Sequence, residues 1–312
     1  MKYDRRTAKI ASQYPLIAGG RRGAPISMQV ALTDSCFNRC IMCDHPSRPQ
    51  KRIEVRDWLA FMYELQNEGL APESVCYSGG DPMAYRDFND VMSWHVTNKV
   101  AFGATITGFI PPFIDVDLLA RAQWVRVSLD AVTPDIYKVV RGHTPVEKVL
   151  DGIDVMMEAG TNVCLGITVH AQNERDLPNV LAYAAAKGIT DIDTRHVYPD
   201  SAAYAPDWSR DIMPFNNCHA ALYQLYIDSD GSVYPCCITA GDTRGAPTAA
   251  ALGNMLTEPW RQVWDRVIDY TKIAVADLPD ICRTCCVQRL SEINYVCGEI
   301  QREWPQGSKN FY

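Results

Sequence analysis

Three absences narrow what this 312-residue sequence does. No apolar stretch reaches the ~18 residues of a membrane-spanning helix, so a membrane is not an expected partner. No basic run is present and the formal net charge is −7, so nucleic acid is not the default partner either. The first residues, Met1-Lys-Tyr-Asp-Arg-Arg-Thr7, lack the apolar core of a signal peptide. The resulting expectation is a cytoplasmic chain.

What is abundant is cysteine, at 12 residues. In a chain of this size with no signal segment, C-x2-C groups favour metal in a reducing compartment over a disulfide framework. The hydrophobic share of 47% suffices for one large domain and a small one.

From Ser27 to about Pro199, strand and helix patterns alternate. Strands are expected at Met28–Thr33, Ser74–Ser78, Val100–Thr107, Trp124–Asp130, Thr161–His170 and Asp191–Tyr198. Helices are expected at Val55–Glu68, Tyr85–Thr97, Val116–Arg121, Val146–Ala159 and Glu174–Lys187. Six strand–helix units with short connections predict an α/β fold with a parallel sheet. The strands read as near-continuous apolar runs, as a sheet covered on both faces requires. Periodicity does not show whether the sheet closes. Cys76 and Cys164 lie inside such strands and are expected to be inert core thiols.

Cys36-Phe-Asn-Arg-Cys40-Ile-Met-Cys43 follows the first strand on a loop. Three thiolates at C-x3-C-x2-C spacing can hold one face of an iron–sulfur cluster and leave the fourth iron open. An open site marks chemistry rather than scaffolding. Zinc and three buried cysteines are the plainer alternatives. Zinc usually wants a fourth ligand, and no fourth cysteine follows nearby.

This loop after a first strand resembles the radical SAM superfamily. The resemblance implies a four-iron, four-sulfur cluster on Cys36, Cys40 and Cys43, with S-adenosylmethionine (SAM) on the open iron. Met42 stands where that family often has an aromatic residue. The resemblance also implies a six-stranded partial (β/α)6 barrel, like a TIM barrel, with its site at the carboxyl ends of the strands.

Further motifs fall at those ends. In Cys76-Tyr-Ser-Gly-Gly-Asp-Pro82, Gly79 and Gly80 let a ligand approach the backbone closely. Read plainly, this is a turn. The segment resembles the family's G-G-E-P motif, which holds the methionine amino group of SAM, with Asp81 in place of Glu. Ser128 and Asp130 point to one side at period two. The family's S-L-D segment contacts the ribose or carboxylate of SAM. Arg141 is a candidate partner for a carboxylate of SAM or substrate, or else a solvated helix end. Gly166 permits close approach to the nucleoside, or marks a bulge. His196 and Tyr198 end the sixth strand, where they could face substrate.

Residues 1–26 read as a lead-in, too short for a leader-peptide-binding domain. Residues 27–199 are the barrel, 200–217 a proline- and alanine-rich linker, 218–300 a cysteine-rich domain and 301–312 a tail. In the cysteine-rich part, Leu225–Tyr234 reads as a hairpin around Ser229-Asp-Gly231. Leu252-Gly-Asn-Met-Leu256 reads as a turn, and Trp260–Tyr270 as an amphipathic helix. Cys218, Cys236, Cys282 and Cys285 make a four-thiolate site for zinc or an iron–sulfur cluster. The order C-x12-G-x4-C, L-G-N, a Trp-bearing helix and C-x2-C resembles the Twitch domain, the short form of SPASM. This implies one auxiliary four-iron, four-sulfur cluster and leaves Cys237, Cys286 and Cys297 spare. Seven cysteines in the region leave room for an irregular second cluster.

The resemblance implies reductive cleavage of SAM to a 5′-deoxyadenosyl radical that takes a hydrogen atom from a substrate C–H. An external one-electron reductant such as flavodoxin or ferredoxin would supply the electron. The short architecture resembles aminocyclitol (2-deoxy-scyllo-inosamine) dehydrogenase-like enzymes. That makes an oxidoreductase acting on a small aminosugar or aminocyclitol the first expectation. A short peptide is the second, either crosslinked or epimerised with a spare thiol (Cys237, Cys286 or Cys297) as hydrogen-atom donor. A non-enzymatic zinc-ribbon protein is the third, and the SAM-site motifs argue against it.

Overall fold

The computed structural model describes residues 12, 14, 23–43, 50–196, 215–241, 249–279, 282 and 293–298. The expected alternation is present. The strands are β1 (Ser27–Ala31), β2 (Ser74–Ser78), β3 (Ala101–Ile106), β4 (Trp124–Ser128), β5 (Val163–Val169) and β6 (Ile192–His196). Between them run α1 (Val55–Asn67), α2 (Phe88–Asn98), α3 (Val116–Leu119), α4 (Pro134–Arg141), α5 (Val146–Glu158) and α6 (Leu177–Lys187). Neighbouring strands from β1 to β6 pair in parallel, in chain order. The first part of the chain is therefore an open partial barrel.

Helix α4 has no counterpart among the sequence expectations. Its start is nonetheless legible as Thr133-Pro134-Asp135, with proline at the first helical position. The carboxylate of Asp176 accepts from the backbone N–H groups of Val132 and Thr133 at 2.8 and 2.9 Å. That contact fixes the approach to the helix.

Two further differences concern the sheet. It does not stop at six strands. After the linker come α7 (Ala220–Tyr223), β7 (Gln224–Ile227), β8 (Ser232–Tyr234), α8 (Cys237–Ala240), β9 (Gly253–Asn254) and α9 (Trp260–Tyr270). β7 pairs in parallel with β1, then antiparallel with β8, so nine strands form one sheet in the order β6-β5-β4-β3-β2-β1-β7-β8-β9. The expected hairpin is β7–β8. The expected turn at Leu252–Leu256 contains the short strand β9.

The second difference is that the sheet is not covered alike on both faces. Met28, Val30, Val75, Tyr77, Phe102, Val125, Val127, Leu165 and Ile167 are buried. Tyr77 on this face packs against Trp58 of α1 and Phe88 of α2. The intervening residues Gln29, Cys76, Ser78, Thr105, Arg126, Ser128, Gly166, Thr168 and Asp193 are only partly buried. Gln29 Nε2 donates to Ser78 Oγ at 3.0 Å along this second face. The strands thus alternate, with one apolar face under the helices and one polar face on the concave side. Cys76 lies on the concave face and is partly exposed, which corrects its expected place in the core. Cys164 is buried as expected, and burial pushes its thiol up to about 11.

The C-terminal elements dock through α9. Trp260 stacks edge-on against Phe61 of α1, with ring centroids 5.3 Å apart, and its indole N–H donates to Gly23 O at 3.0 Å. Lys51, just past the cysteine loop, pairs with Asp230 of the hairpin at 2.7 Å.

Candidate active site

Because β1 to β6 run in parallel, the carboxyl ends of all six strands lie at one end of the sheet. The Cys36–Cys43 loop leaves β1 there, and two backbone hydrogen bonds hold it against the end of α4. Arg39 N–H donates to Arg141 O and Ile41 N–H to Val140 O, each at 3.0 Å. Asn38 N–H donates to Cys36 Sγ at 3.4 Å. The Asn38 side chain joins the same anchor, its oxygen accepting from Thr144 N–H at 3.0 Å.

Arg141 is buried, so the solvated helix end is excluded. Its Nε meets Asp130 Oδ2 at 2.6 Å as a side-on ion pair rather than a well-angled hydrogen bond. Its Nη1 donates to Cys40 Sγ at 3.5 Å. Burial opposes the charge on this guanidinium. Asp130 and Cys40 outweigh that cost, and the pKa rises. Asp130 Oδ1 accepts from Thr168 N–H at 2.7 Å, which ties the end of β4 to β5. Asp130, Arg141 and Cys40 thus form one chain from the sheet to the cysteine loop. Ser128 sits one step back on the concave face.

The glycine pair packs closely against the chain's own backbone. Gly79 has φ +104, and a Cβ there would lie 2.6 Å from Ala31 Cβ. A Cβ on Gly80 would lie 2.2 Å from Ser35 O. The chain's own Thr33–Ser35 segment makes the close approach, and Gly80 N–H and Asp81 N–H donate to Thr33 O and Ser35 O. The two glycines therefore seat the lead-in to Cys36. The Asp81 carboxylate is fully buried. It accepts from Met83 N–H at 3.0 Å and from Thr107 Oγ1 at 2.5 Å. Burial pushes it up to about 6, against the pull of Thr107 and Met83. Thr107, just past β3, is a site residue that no motif pointed to.

Gly166 keeps regular register opposite Ser128 and Asp193, so no bulge forms. A Cβ there would lie 3.1 Å from Arg126 Cδ and crowd that side chain. His196 ends β6 opposite Val169. Tyr198 lies outside the described residues, as do Cys285 and Cys286.

Three of the four expected auxiliary ligands come together. Tyr270 of α9 has a buried hydroxyl without a well-angled hydrogen bond. Burial and then the thiols of Cys218, Cys282 and Cys236 raise its pKa. Asn294 donates to Cys218 Sγ at 3.6 Å and accepts from His219 N–H and Ala220 N–H. Tyr270 and Asn294 escaped the sequence reading because spacing identifies ligands, not the groups around them. Cys297 is fully buried and donates to Tyr223 Oη at 3.7 Å, and burial pushes its thiol up to about 12. Cys237 instead packs beside Ala31, Tyr226 and Tyr234. Tyr226 is in register with Gln29, on the concave face.

These residues fit iron–sulfur clusters. Cys36, Cys40, Cys43, Cys218, Cys236 and Cys282 are not tied up in disulfides. Burial, with Asp81 nearby, pushes Cys36 up to about 12, so a thiolate there needs the positive charge of a metal. Among the described residues no three donor groups close around a single ion. In a four-iron cube each thiolate binds its own iron, so that compact arrangement is not required.

The radical SAM superfamily model matches residues 30–184, and the model of an iron–sulfur cluster-binding domain, SPASM, matches residues 218–286. The chain carries a radical SAM domain followed by a SPASM domain. Its domains imply a four-iron, four-sulfur cluster, SAM and additional iron–sulfur binding in the SPASM region. Among curated relatives, PqqA peptide cyclase of Granulibacter bethesdensis is 24% identical over 179 residues, 55% of this chain and 47% of that protein. GTP 3′,8-cyclase of Marinobacter nauticus is 24% identical over 169 residues, 52% of this chain and 51% of that protein. The chain thus spans about half the length of these relatives. Streptococcus suis SuiB bound to S-adenosylmethionine superposes with TM-score 0.64 at 14% identity, covering 85% of this chain and 72% of SuiB. The fold of this radical SAM protein is therefore the superfamily's partial barrel followed by a SPASM domain. The likeness to aminocyclitol dehydrogenases gains no support from these comparisons. Among the described residues no helix is long and apolar enough to cross a membrane.

Proposed function

We propose that this radical SAM enzyme oxidises a peptide, removing a hydrogen atom from an unactivated C–H and completing a net two-electron change. The observation that carries the reading is the concave face. It is polar and partly exposed from Asp193 on β6 through Arg126, Ser128, Thr105, Ser78 and Cys76 to Gln29 on β1. Past β1 the same side carries the buried rings of Tyr226 and Tyr234. A surface that long and open at one end suits an extended chain better than one small sugar ring. Two likenesses support it: a relative named for peptide cyclisation, and SuiB bound to its precursor peptide SuiA, which superposes with TM-score 0.63.

When bound, the barrel cluster and SAM would supply a one-electron cleavage that removes the hydrogen atom, and an auxiliary cluster would supply an acceptor for the remaining electron, the second hydrogen leaving as a proton to solvent. Cys36, Cys40 and Cys43 would hold the first cluster, and Cys218, Cys236, Cys282 and Cys285 one auxiliary cluster. Arg141, tied to Asp130, orients the cysteine loop from below. The Gly79–Asp81 turn seats its lead-in. Ser128 lies on the concave face toward the SAM end of the barrel, and the helices exclude water from the other face. A flavodoxin- or ferredoxin-type reductant fits the need for single electrons.

The epimerase variant of the reading needs a thiol that donates hydrogen. Cys297 is sealed, so Cys237 is the stronger donor candidate among the described residues. Dehydrogenation of a small aminocyclitol finds no specific observation in its favour. The test is to incubate anaerobically reconstituted protein with SAM, reductant and a short peptide encoded beside the gene. The expected product is the peptide lacking two hydrogens, with 5′-deoxyadenosine formed in step. An unchanged peptide, together with turnover of a neighbouring aminosugar, would overturn the reading.

A further inference from the structure

Arg126 stands in the middle of β4 on the concave face, in register with Cys164 of β5. Its side chain runs past Gly166, where a Cβ would lie 3.1 Å from Arg126 Cδ and 3.3 Å from Nε and would crowd it. A single N–H, on Nη1, is spent, donating to Asp193 Oδ2 at 3.2 Å. That same oxygen already accepts two bonds from Arg195, at 3.0 and 2.6 Å. Asp193 is therefore shared and does not serve Arg126 alone. An arginine offers five N–H donors, so four of those on Arg126 have no acceptor among the described residues. Its side chain is 28% exposed, open to the concave side. Burial, and then the neighbouring Arg195, depress its pKa, with Asp193 opposing.

Below it Trp124 forms a floor. A Cβ on Gly103 would lie 2.5 Å from the Trp124 ring, so the indole lies flat across that glycine. Toward the cysteine loop the wall continues through Ser128 and Thr168. The donor-rich guanidinium thus sits deeper in the barrel than the cysteine loop, where a side chain entering from the open end would finish.

We propose that Arg126 is a substrate-recognition residue that binds a carboxylate on a side chain of the peptide substrate. This rests on the peptide reading above and narrows it to a peptide with an acidic residue near the reacting position. The carboxylate would take two parallel N–H bonds from the unspent side of the guanidinium, the geometry that favours arginine over lysine. Asp193 would keep its one bond and hold the guanidinium over Gly166.

The test is binding to the anaerobic, cluster-loaded, SAM-bound protein. The probes are N-acetyl-glutamate N-methylamide, its glutamine counterpart and inorganic phosphate, measured by calorimetry against the native protein and Arg126→Gln. The expected result is that the glutamate probe binds roughly tenfold tighter than the glutamine probe, and that Arg126→Gln removes this difference without weakening the glutamine probe. Arg126→Lys, with charge but no fork, should recover only part of it, and it replaces the glutamine variant if that one does not fold. Equal binding of the two peptide probes to the native protein would overturn the inference and leave the peptide reading intact. Arg126-dependent binding of phosphate alone would overturn the inference and the peptide reading together. Binding of none of the three probes would also overturn the inference.

Discussion

Arg141 and Asp130 meet at 2.6 Å with the carboxylate fully buried and the guanidinium nearly so, and the same guanidinium reaches Cys40. Removing one partner leaves the other charged, buried and uncompensated, which costs about 3–5 kcal/mol. Asp130→Asn and Arg141→Met should each fall in that range by urea unfolding of the cluster-loaded protein. The double variant should cost clearly less than their sum. Additive costs would show that the pair does not act as a unit.

The fit of Gly80 against Ser35 predicts an effect at a distance. Gly80→Ala should displace the Thr33–Ser35 segment and with it Cys36, since the added atom has only backbone to push against. Iron content should drop from about eight per chain toward about four, the auxiliary share alone. Full iron loading with weakened SAM binding would instead mean that the turn serves the ligand and not the loop.

A pH effect is expected from the core. His95 is buried, its Nδ1–H facing Val100 O at 3.0 Å and its Nε2 facing the Tyr77 hydroxyl at 2.6 Å. Burial lowers its pKa from 6.5 to about 4, against the opposing bond to Val100. The native state then binds the proton less well than the unfolded chain. The resulting stability is complete above pH 6.5 and is lost as pH falls toward 4, by up to about 3 kcal/mol. Chemical denaturation across that window should show a decline that His95→Gln flattens, from a lower starting stability. An unchanged slope in the variant would place the titration elsewhere.

Much of the scaffold was legible in the sequence, and the reasons are local. The cysteine loop shows in its spacing, and each strand–helix unit shows in its period. Trp260–Tyr270 is helical over the expected span. The polar concave face was missed because runs such as Trp124–Ser128 read as apolar overall. Counting back at period two from Asp130 and Ser128 would have placed Arg126 on the same side. Arg141 was ambiguous because α4 went unrecognised, and only its burial with Tyr137 and Val140 shows that it turns inward. The mate of Asp81, Thr107, lies 26 residues away just past β3, a contact that no spacing rule contains. The continuity of β7 with β1 was likewise hidden, because a long-range edge pairing leaves no local mark.

The auxiliary site carries its own prediction. Replacing Cys282 and Cys285 with alanine should leave SAM cleavage at the barrel cluster while abolishing oxidised product, once folding of the variant is verified. Full product from a folded variant would make the second cluster structural.

The central claim is that a hydrogen atom passes from a peptide to the 5′-deoxyadenosyl group of cleaved SAM in this protein's barrel. Its most direct test is isotope transfer. A short peptide encoded beside the gene would be made with deuterium at every carbon and given to the reduced, SAM-loaded enzyme, and the 5′-deoxyadenosine analysed by mass spectrometry. Deuterium in the 5′-deoxyadenosine, lost when Cys36, Cys40 and Cys43 are replaced by alanine, is the predicted result. 5′-Deoxyadenosine without deuterium, while a deuterated aminocyclitol does transfer its label, would contradict the account.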